Sequence, residues 1–145
     1  MPIYVDTSAL AKRYLAEAGS AEFEVFLAGQ SDECVICPLG AMEFESLLQR
    51  LLRQRLIDRD YALQARRDFS SDLASAVWSM RGFEVASIAR GTELLRELSS
   101  PLATLDALHL ASALELSCDA LASGDQQLLR AAEECGLTVH SFVAR

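Results

Sequence analysis

Short apolar runs alternate with longer stretches of helical periodicity along the chain. The runs Ile3–Val5, Cys34–Cys37, Phe83–Ala86, Ala120–Ala122 and Thr138–His140 predict five strands. Between them, the ranges 8–17, 20–29, 39–56, 59–80, 88–98, 104–117 and 124–135 predict helices. Strands alternating with helices predict an α/β fold built on a parallel sheet. In 39–56, Phe44, Leu47, Leu48, Leu51 and Leu52 recur at the spacing that buries one helical face. Local signals mark several helix ends. Ser8 and Thr104 are placed to cap the helices that follow them, and Ser123-Gly124-Asp125-Gln126 reads as a capping box with Ser123 as N-cap. Gly136 stands where a helix-terminating glycine belongs. No repeat, low-complexity tract or linker divides the 145 residues, so a single domain over 1–145 is expected.

Composition narrows the class. With 51% hydrophobic residues the chain can offset the entropy of ordering itself, and disorder is excluded. No apolar stretch reaches the length of a membrane span. Residues 2–5 are apolar but lack a basic segment before them and meet Asp6 directly, so no export signal is visible and a cytoplasmic location is expected. The four cysteines should then stay reduced. Cys34 and Cys37 spell a C-x-x-C motif, but on a strand an offset of three sends the two sulfurs to opposite faces, and no second pair completes a zinc site. The net charge of −8, from 13 basic and 21 acidic residues, argues by itself against a nucleic-acid partner.

The placement of particular acids changes that picture. Asp6 ends the first strand and opens a helix, and Asp125 follows Ala120–Ala122 in the same way through Ser123-Gly124. Asp106 lies in the first turn after Thr104, and Glu43 in the first turns after Cys34–Cys37. In an open parallel sheet, ligands sit beyond the carboxyl ends of the strands. Any one of these acids would also stabilise a first helical turn through the macrodipole. Four carboxylates converging in a partly buried pocket repel one another unless a cation intervenes. An oxygen-only donor set favours Mg²⁺ or Mn²⁺ over zinc, and such sites serve phosphodiester cleavage.

The segments Tyr4-Val5-Asp6-Thr7-Ser8-Ala9-Leu10, Pro38-Leu39-Gly40-Ala41-Met42-Glu43, Leu105-Asp106-Ala107-Leu108-His109-Leu110-Ala111 and Ser123-Gly124-Asp125-Gln126-Gln127-Leu128 resemble, in order, the four acidic motifs of PIN-domain proteins. More narrowly they resemble those of VapC toxin ribonucleases from bacterial toxin–antitoxin pairs. The resemblance implies a three-layer α/β/α sandwich and a metal-dependent endoribonuclease. It implies that Asp6, Glu43, Asp106 and Asp125 form the catalytic, metal-binding site, with Asp6 and Asp106 the firmest ligands of Mg²⁺ or Mn²⁺ and with Thr7 or Ser8 adding a hydroxyl. Glu43 or Asp125 would orient the attacking water, and cleavage would leave a 5′-phosphate and a 3′-hydroxyl. It also implies a homodimer and a small VapB-like antitoxin partner.

Glu43 and Glu45 lie roughly 200° apart around a helix and cannot face one site together; the family spacing selects Glu43. His109 shares a helical face with Asp106 and reads as core packing. Haloacid-dehalogenase phosphotransferases and response-regulator receivers also place an aspartate after the first strand. The former need an acid where Ser8 stands, and both need a lysine at a later strand end, whereas the one lysine here, Lys12, lies in the first helix. The remaining alternative is a catalytically silent PIN-like domain that binds RNA or protein. Arg50, Arg53, Arg55, Arg59, Arg66 and Arg67 gather against only Asp58 and Asp60, forming either a solvated helix face or a track for an RNA substrate.

Overall fold

The computed structural model describes residues 1–144. Five strands, β1 (Ile3–Val5), β2 (Cys34–Ile36), β3 (Ser79–Met80), β4 (Ala120–Ser123) and β5 (Thr138–Ser141), form one parallel sheet in the order β3-β2-β1-β4-β5. The helices are α1 (Thr7–Tyr14), α2 (Ser20–Ala28), α3 (Pro38–Arg53), α4 (Arg59–Ala74), α5 (Val85–Glu97), α6 (Thr104–Glu115) and α7 (Gln126–Glu134).

Side-chain alternation on the three central strands builds two separate cores. Ile3, Val5, Cys34, Ile36, Ala120 and Ala122 point to one face and pack with Leu10, Phe23, Phe44, Leu48 and Phe69 of α1–α4. Tyr4, Val35 and Leu121 point to the other and pack with Leu94, Leu110, Leu128 and Ala132 of α5–α7. The expected α/β/α sandwich follows directly from that period of two. Cys34 and Cys37 fall in opposite cores as free, buried thiols, as their offset on a strand predicts.

On the first face, a polar knot fixes α4 to α1. Arg13 donates from Nε to Asp72 at 2.6 Å, Tyr14 donates its hydroxyl to the same carboxylate, and Trp78 Nε1 donates to the Tyr14 hydroxyl at 2.6 Å. α4 closes through a left-handed Ala76 (φ +60°), with the Val77 amide donating to the Asp72 carbonyl at 2.9 Å. The helix expected over 59–80 stops at Ala74, and Ser79–Met80 joins the sheet edge beside β2.

The strand expected at Phe83–Ala86 is instead a loop running into α5, with Phe83 and Val85 exposed. Three capping expectations are also corrected. Asp6 rather than Ser8 caps α1, accepting from the Ala9 amide; Ala103 rather than Thr104 precedes α6; and Asp125 rather than Ser123 caps α7. In each case a cap-competent residue neighbours the true one. For α1 and α7, where the preceding strand ends decides which of them lies just outside the helix. Gly136 behaves as expected: its φ of +85° lets the Leu137 amide turn back to the Ala132 carbonyl at 3.0 Å and close the end of α7.

Candidate active site

The sheet order reverses at β1 and β4. The helices that follow these two strands leave toward opposite faces, α1 to one core and α7 to the other. Such a switch point opens a crevice at the carboxyl ends of the strands. A cavity of about 330 Å³ lies there, lined by Asp6, Thr7, Ser8, Glu43, Ser46, Leu47, Arg50, Leu105, Asp106, His109 and Asp125. All four acids expected from the sequence line it. A larger groove of about 750 Å³ at the α3–α4 turn is lined by Leu52, Arg53, Leu56 and Arg59 and carries only one acid, Asp58. Chemistry, rather than size, marks the first as the candidate site.

Asp6 is the most constrained of the four. It is 4% exposed, and its backbone N–H continues the sheet by donating to the Ala122 carbonyl at 3.1 Å. Its carboxylate accepts from Ser8 Oγ at 2.8 and 3.0 Å, from the Ala9 amide at 3.0 Å and from Ser123 Oγ at 2.9 Å. The two serines do more than hold Asp6. Ser8 accepts from the Gly124 amide at 2.8 Å and Ser123 from the Asp125 amide at 2.9 Å, so the turn after β4 is tied to the aspartate after β1. Asp125 accepts from the amides of Gln127 and Leu128 at the start of α7. Glu43, on α3, accepts from Thr7 Oγ1 at 2.8 Å and from His109 Nε2.

Electrostatics separates these acids. Burial pushes Asp6 above the ordinary aspartate range, against the opposing pull of His109 and its hydrogen-bond donors. Burial, reinforced by the negative charges of Asp125, Asp6 and Glu43, pushes Asp106 up to about 6, with His109 opposing. Burial would raise Glu43 as well, but the hydrogen bonds and charge of His109 and the Thr7 hydroxyl outweigh it and hold Glu43 below the usual carboxylate range. Burial would lower His109, but its contacts with Cys37 and Glu43 outweigh it and raise the imidazole to about 10.

His109 corrects the sequence reading most. It is buried, at 2% exposure, yet it is not simply packed: it lines the cavity and binds Glu43. Its helical face was legible, but its partners Tyr4 and Glu43 come from distant segments. Ser123 was missed as a site residue for the same reason. Glu45 points away from the cavity and pairs with Arg66 at 2.8 Å, which leaves Glu43 as the glutamate of the site. Of the six clustered arginines, Arg50 alone lines the acid cavity, while Arg53, Arg55 and Arg59 line the neighbouring groove.

A hard divalent cation fits this donor set in kind. The wall offers carboxylates and hydroxyls with no thiol, and Asp106, raised first by burial, is raised further by the negative charges of Asp125, Asp6 and Glu43. In the present side-chain arrangement the acids face one cavity without closing on a point. Among the described residues no three His, Cys, Asp or Glu side chains form a group able to hold a metal ion. The Glu43 and Asp125 side chains are turned to protein donors instead.

Known folds agree with this architecture. The chain superposes on the Mycobacterium tuberculosis toxin VapC20, described as cleaving the sarcin–ricin loop, with a TM-score of 0.70 at 16% identity over 94% of this chain and 96% of that one. It also matches FitAcB from Neisseria gonorrhoeae (TM-score 0.71, 14% identity, 94% and 95% covered). A third match is VapBC2 from Rickettsia felis, solved on a DNA fragment from its promoter (TM-score 0.70, 13% identity, 97% and 98% covered). No curated protein sequence matches significantly. The sequence profile of the PIN domain matches residues 3–134, a span that contains all four acids, and the chain therefore belongs to the PIN-domain family.

Proposed function

We propose that this protein is a Mg²⁺- or Mn²⁺-dependent endoribonuclease, the toxin of a toxin–antitoxin pair. The observation that carries the reading is the convergence of Asp6, Glu43, Asp106 and Asp125 on one cavity at the switch point of a PIN fold. Asp6, immobilised by Ser8, Ser123 and the Ala9 amide, and Asp106, which its acidic neighbours crowd, would hold the cation. A cation bound there supplies charge neutralisation at the scissile phosphate and acidifies a nucleophilic water. Glu43 or Asp125 would orient the attacking water by accepting a hydrogen bond from it. Arg50 on the cavity wall attracts the RNA phosphate and offsets the acidity that would otherwise repel it. Hydrolysis by water leaves a 5′-phosphate and a 3′-hydroxyl and needs no 2′-hydroxyl nucleophile.

The structural likeness to VapC20 and VapBC2 supports an antitoxin partner. Leu56 and Leu63, both exposed near the α3–α4 turn, support dimerisation on that face. Ribonuclease assay with Mg²⁺ or Mn²⁺, comparing the wild type with Asp6→Asn, tests the enzymatic reading. Cleavage by the wild type alone is expected; equal rates would leave a silent, RNA- or protein-binding PIN domain.

A further inference from the structure

Behind the acid cavity, five side chains form one continuous polar chain: Tyr4 of β1, Cys37 between β2 and α3, His109 of α6, Glu43 of α3 and Thr7 of α1. Tyr4, on β1 and fully buried, donates its hydroxyl to Cys37 Sγ at 3.1 Å. The same hydroxyl lies 2.7 Å from His109 Nδ1, with the two rings edge to face, their centroids 5.7 Å apart. His109 Nε2 in turn donates to Glu43 Oε1, and Thr7 Oγ1 donates to that same oxygen at 2.8 Å. One carboxylate oxygen of Glu43 is thus held from two sides, on a side chain that lines the cavity. Both imidazole nitrogens are engaged, so the ring can neither rotate nor flip without breaking a buried hydrogen bond. Leucine or phenylalanine would fill the same volume between β1 and α6. A histidine there, with its two nitrogens shared between the sheet and Glu43, does what packing alone does not require.

We propose that His109 is a positioning residue of the ribonuclease reaction: anchored to the sheet through Tyr4, it fixes the orientation of the Glu43 carboxylate toward the reacting water. This rests on the nuclease reading above and adds the device that aims one of its acids. A glutamate on an exposed helix face samples several rotamers. Clamping one oxygen removes that freedom before substrate arrives, and misplacement by about 1 Å costs on the order of a hundredfold in rate.

The test separates positioning from packing. His109→Phe keeps a ring against Tyr4 but removes both nitrogens. His109→Gln keeps a donor near the position of Nε2, and Tyr4→Phe removes only the tether. For RNA cleavage in Mn²⁺, His109→Phe should lower kcat by about 10–100-fold with KM for RNA unchanged, as loss of a supporting hydrogen bond does elsewhere. His109→Gln should recover most of the loss, and Tyr4→Phe, which leaves no cavity, should lower kcat in the same direction. In ¹⁵N-labelled wild-type protein the His109 Nε2–H should give a downfield, slowly exchanging proton resonance that Glu43→Gln shifts or abolishes. Equal kcat in the wild type and either His109→Phe or Tyr4→Phe overturns the proposal, as does a His109→Gln variant no better than His109→Phe. Should the wild type cleave no RNA, the nuclease reading falls. The clamp on Glu43 is then decided by the resonance alone, whose absence from the wild type overturns it.

Discussion

Replacing Asp106 with asparagine should stabilise the fold while disabling the site. Burial and the charges of Asp125, Asp6 and Glu43 raise this carboxyl from 3.8 to about 6. A raised folded-state value means that the native protein binds the proton more tightly than the unfolded chain. The associated stability is fully present below about pH 3.8 and is lost as pH rises through about 6. At about 1.4 kcal/mol per pH unit the ceiling on this loss is about 3 kcal/mol. Asp106 is only partly buried, and solvent screening roughly halves that figure to about 1.5 kcal/mol. The asparagine would also give up the attraction between a carboxylate and the first turn of α6, a loss of about 0.5 kcal/mol. The net gain at pH 7.5 is therefore about 1 kcal/mol, or 2–4 °C in Tm for a domain of this size. Urea unfolding of both proteins at pH 4 and pH 7.5, in low salt with EDTA, measures it. The difference between wild type and Asp106→Asn should be near zero or slightly negative at pH 4 and favour the variant at pH 7.5. A variant less stable than the wild type at pH 7.5, or a gain of equal size at both pH values, would falsify the claim that burial and its acidic neighbours raise the Asp106 carboxyl.

Mn²⁺ in excess should reverse that ranking. At a hundred times its dissociation constant it stabilises the wild type by about 2.7 kcal/mol, and a scan of Tm against Mn²⁺ should rise for the wild type and stay flat for Asp6→Asn; parallel curves would remove Asp6 from the ligand set. Asp72→Ala should destabilise the protein by about 2–3 kcal/mol in urea melts, because it strips a charge-assisted acceptor from both Arg13 and the Tyr14 hydroxyl; a loss below about 0.5 kcal/mol would show that the knot between α1 and α4 adds nothing. The double change Arg53→Glu with Arg66→Glu should weaken RNA binding and flatten its salt dependence, as removal of phosphate contacts does. Since Arg66 is already paired with Glu45 while Arg50 lines the cavity, Arg50→Ala should cost more binding than Arg66→Ala in the same titration.

Asp6, Glu43 and Asp125 were legible because each follows a strand into a helix, where an apolar run, an acid and a helical period meet. Asp6 after Ile3–Val5 and Asp125 after Ala120–Ser123 show this most plainly. Asp106 follows α5 through a loop and was marked by its place in the first turn of α6 alone. The central strands were legible for a related reason: buried on both faces, they stand out as apolar runs. β3 was not, because a two-residue edge strand of Ser79 and Met80 has no period to detect, while Phe83 and Val85 mimic a strand and remain exposed. Capping was ambiguous wherever two competent residues adjoin, as in Asp6-Thr7-Ser8 and Ser123-Gly124-Asp125, since a shift of two residues decides the outcome. The clamp on Glu43 lay beyond any local pattern. His109 and Glu43 are 66 residues apart and Tyr4 is 105 from His109, so only the folded sheet brings their polar atoms together.

The strand order has a consequence for the chain as it leaves the ribosome. β1 is made first, but its neighbour β4 arrives more than a hundred residues later, after Glu43 and Asp106 have both emerged. Until then one edge of β1 is bare, Asp6 lacks the Ser123 hydroxyl and its amide lacks the Ala122 carbonyl. A polypeptide cut short before Ala120 would hold three of the four acids but lack Asp125 and the Ser123 hydroxyl that holds Asp6. Synthesis order itself thus delays completion of the cavity until β4 and the turn after it have emerged.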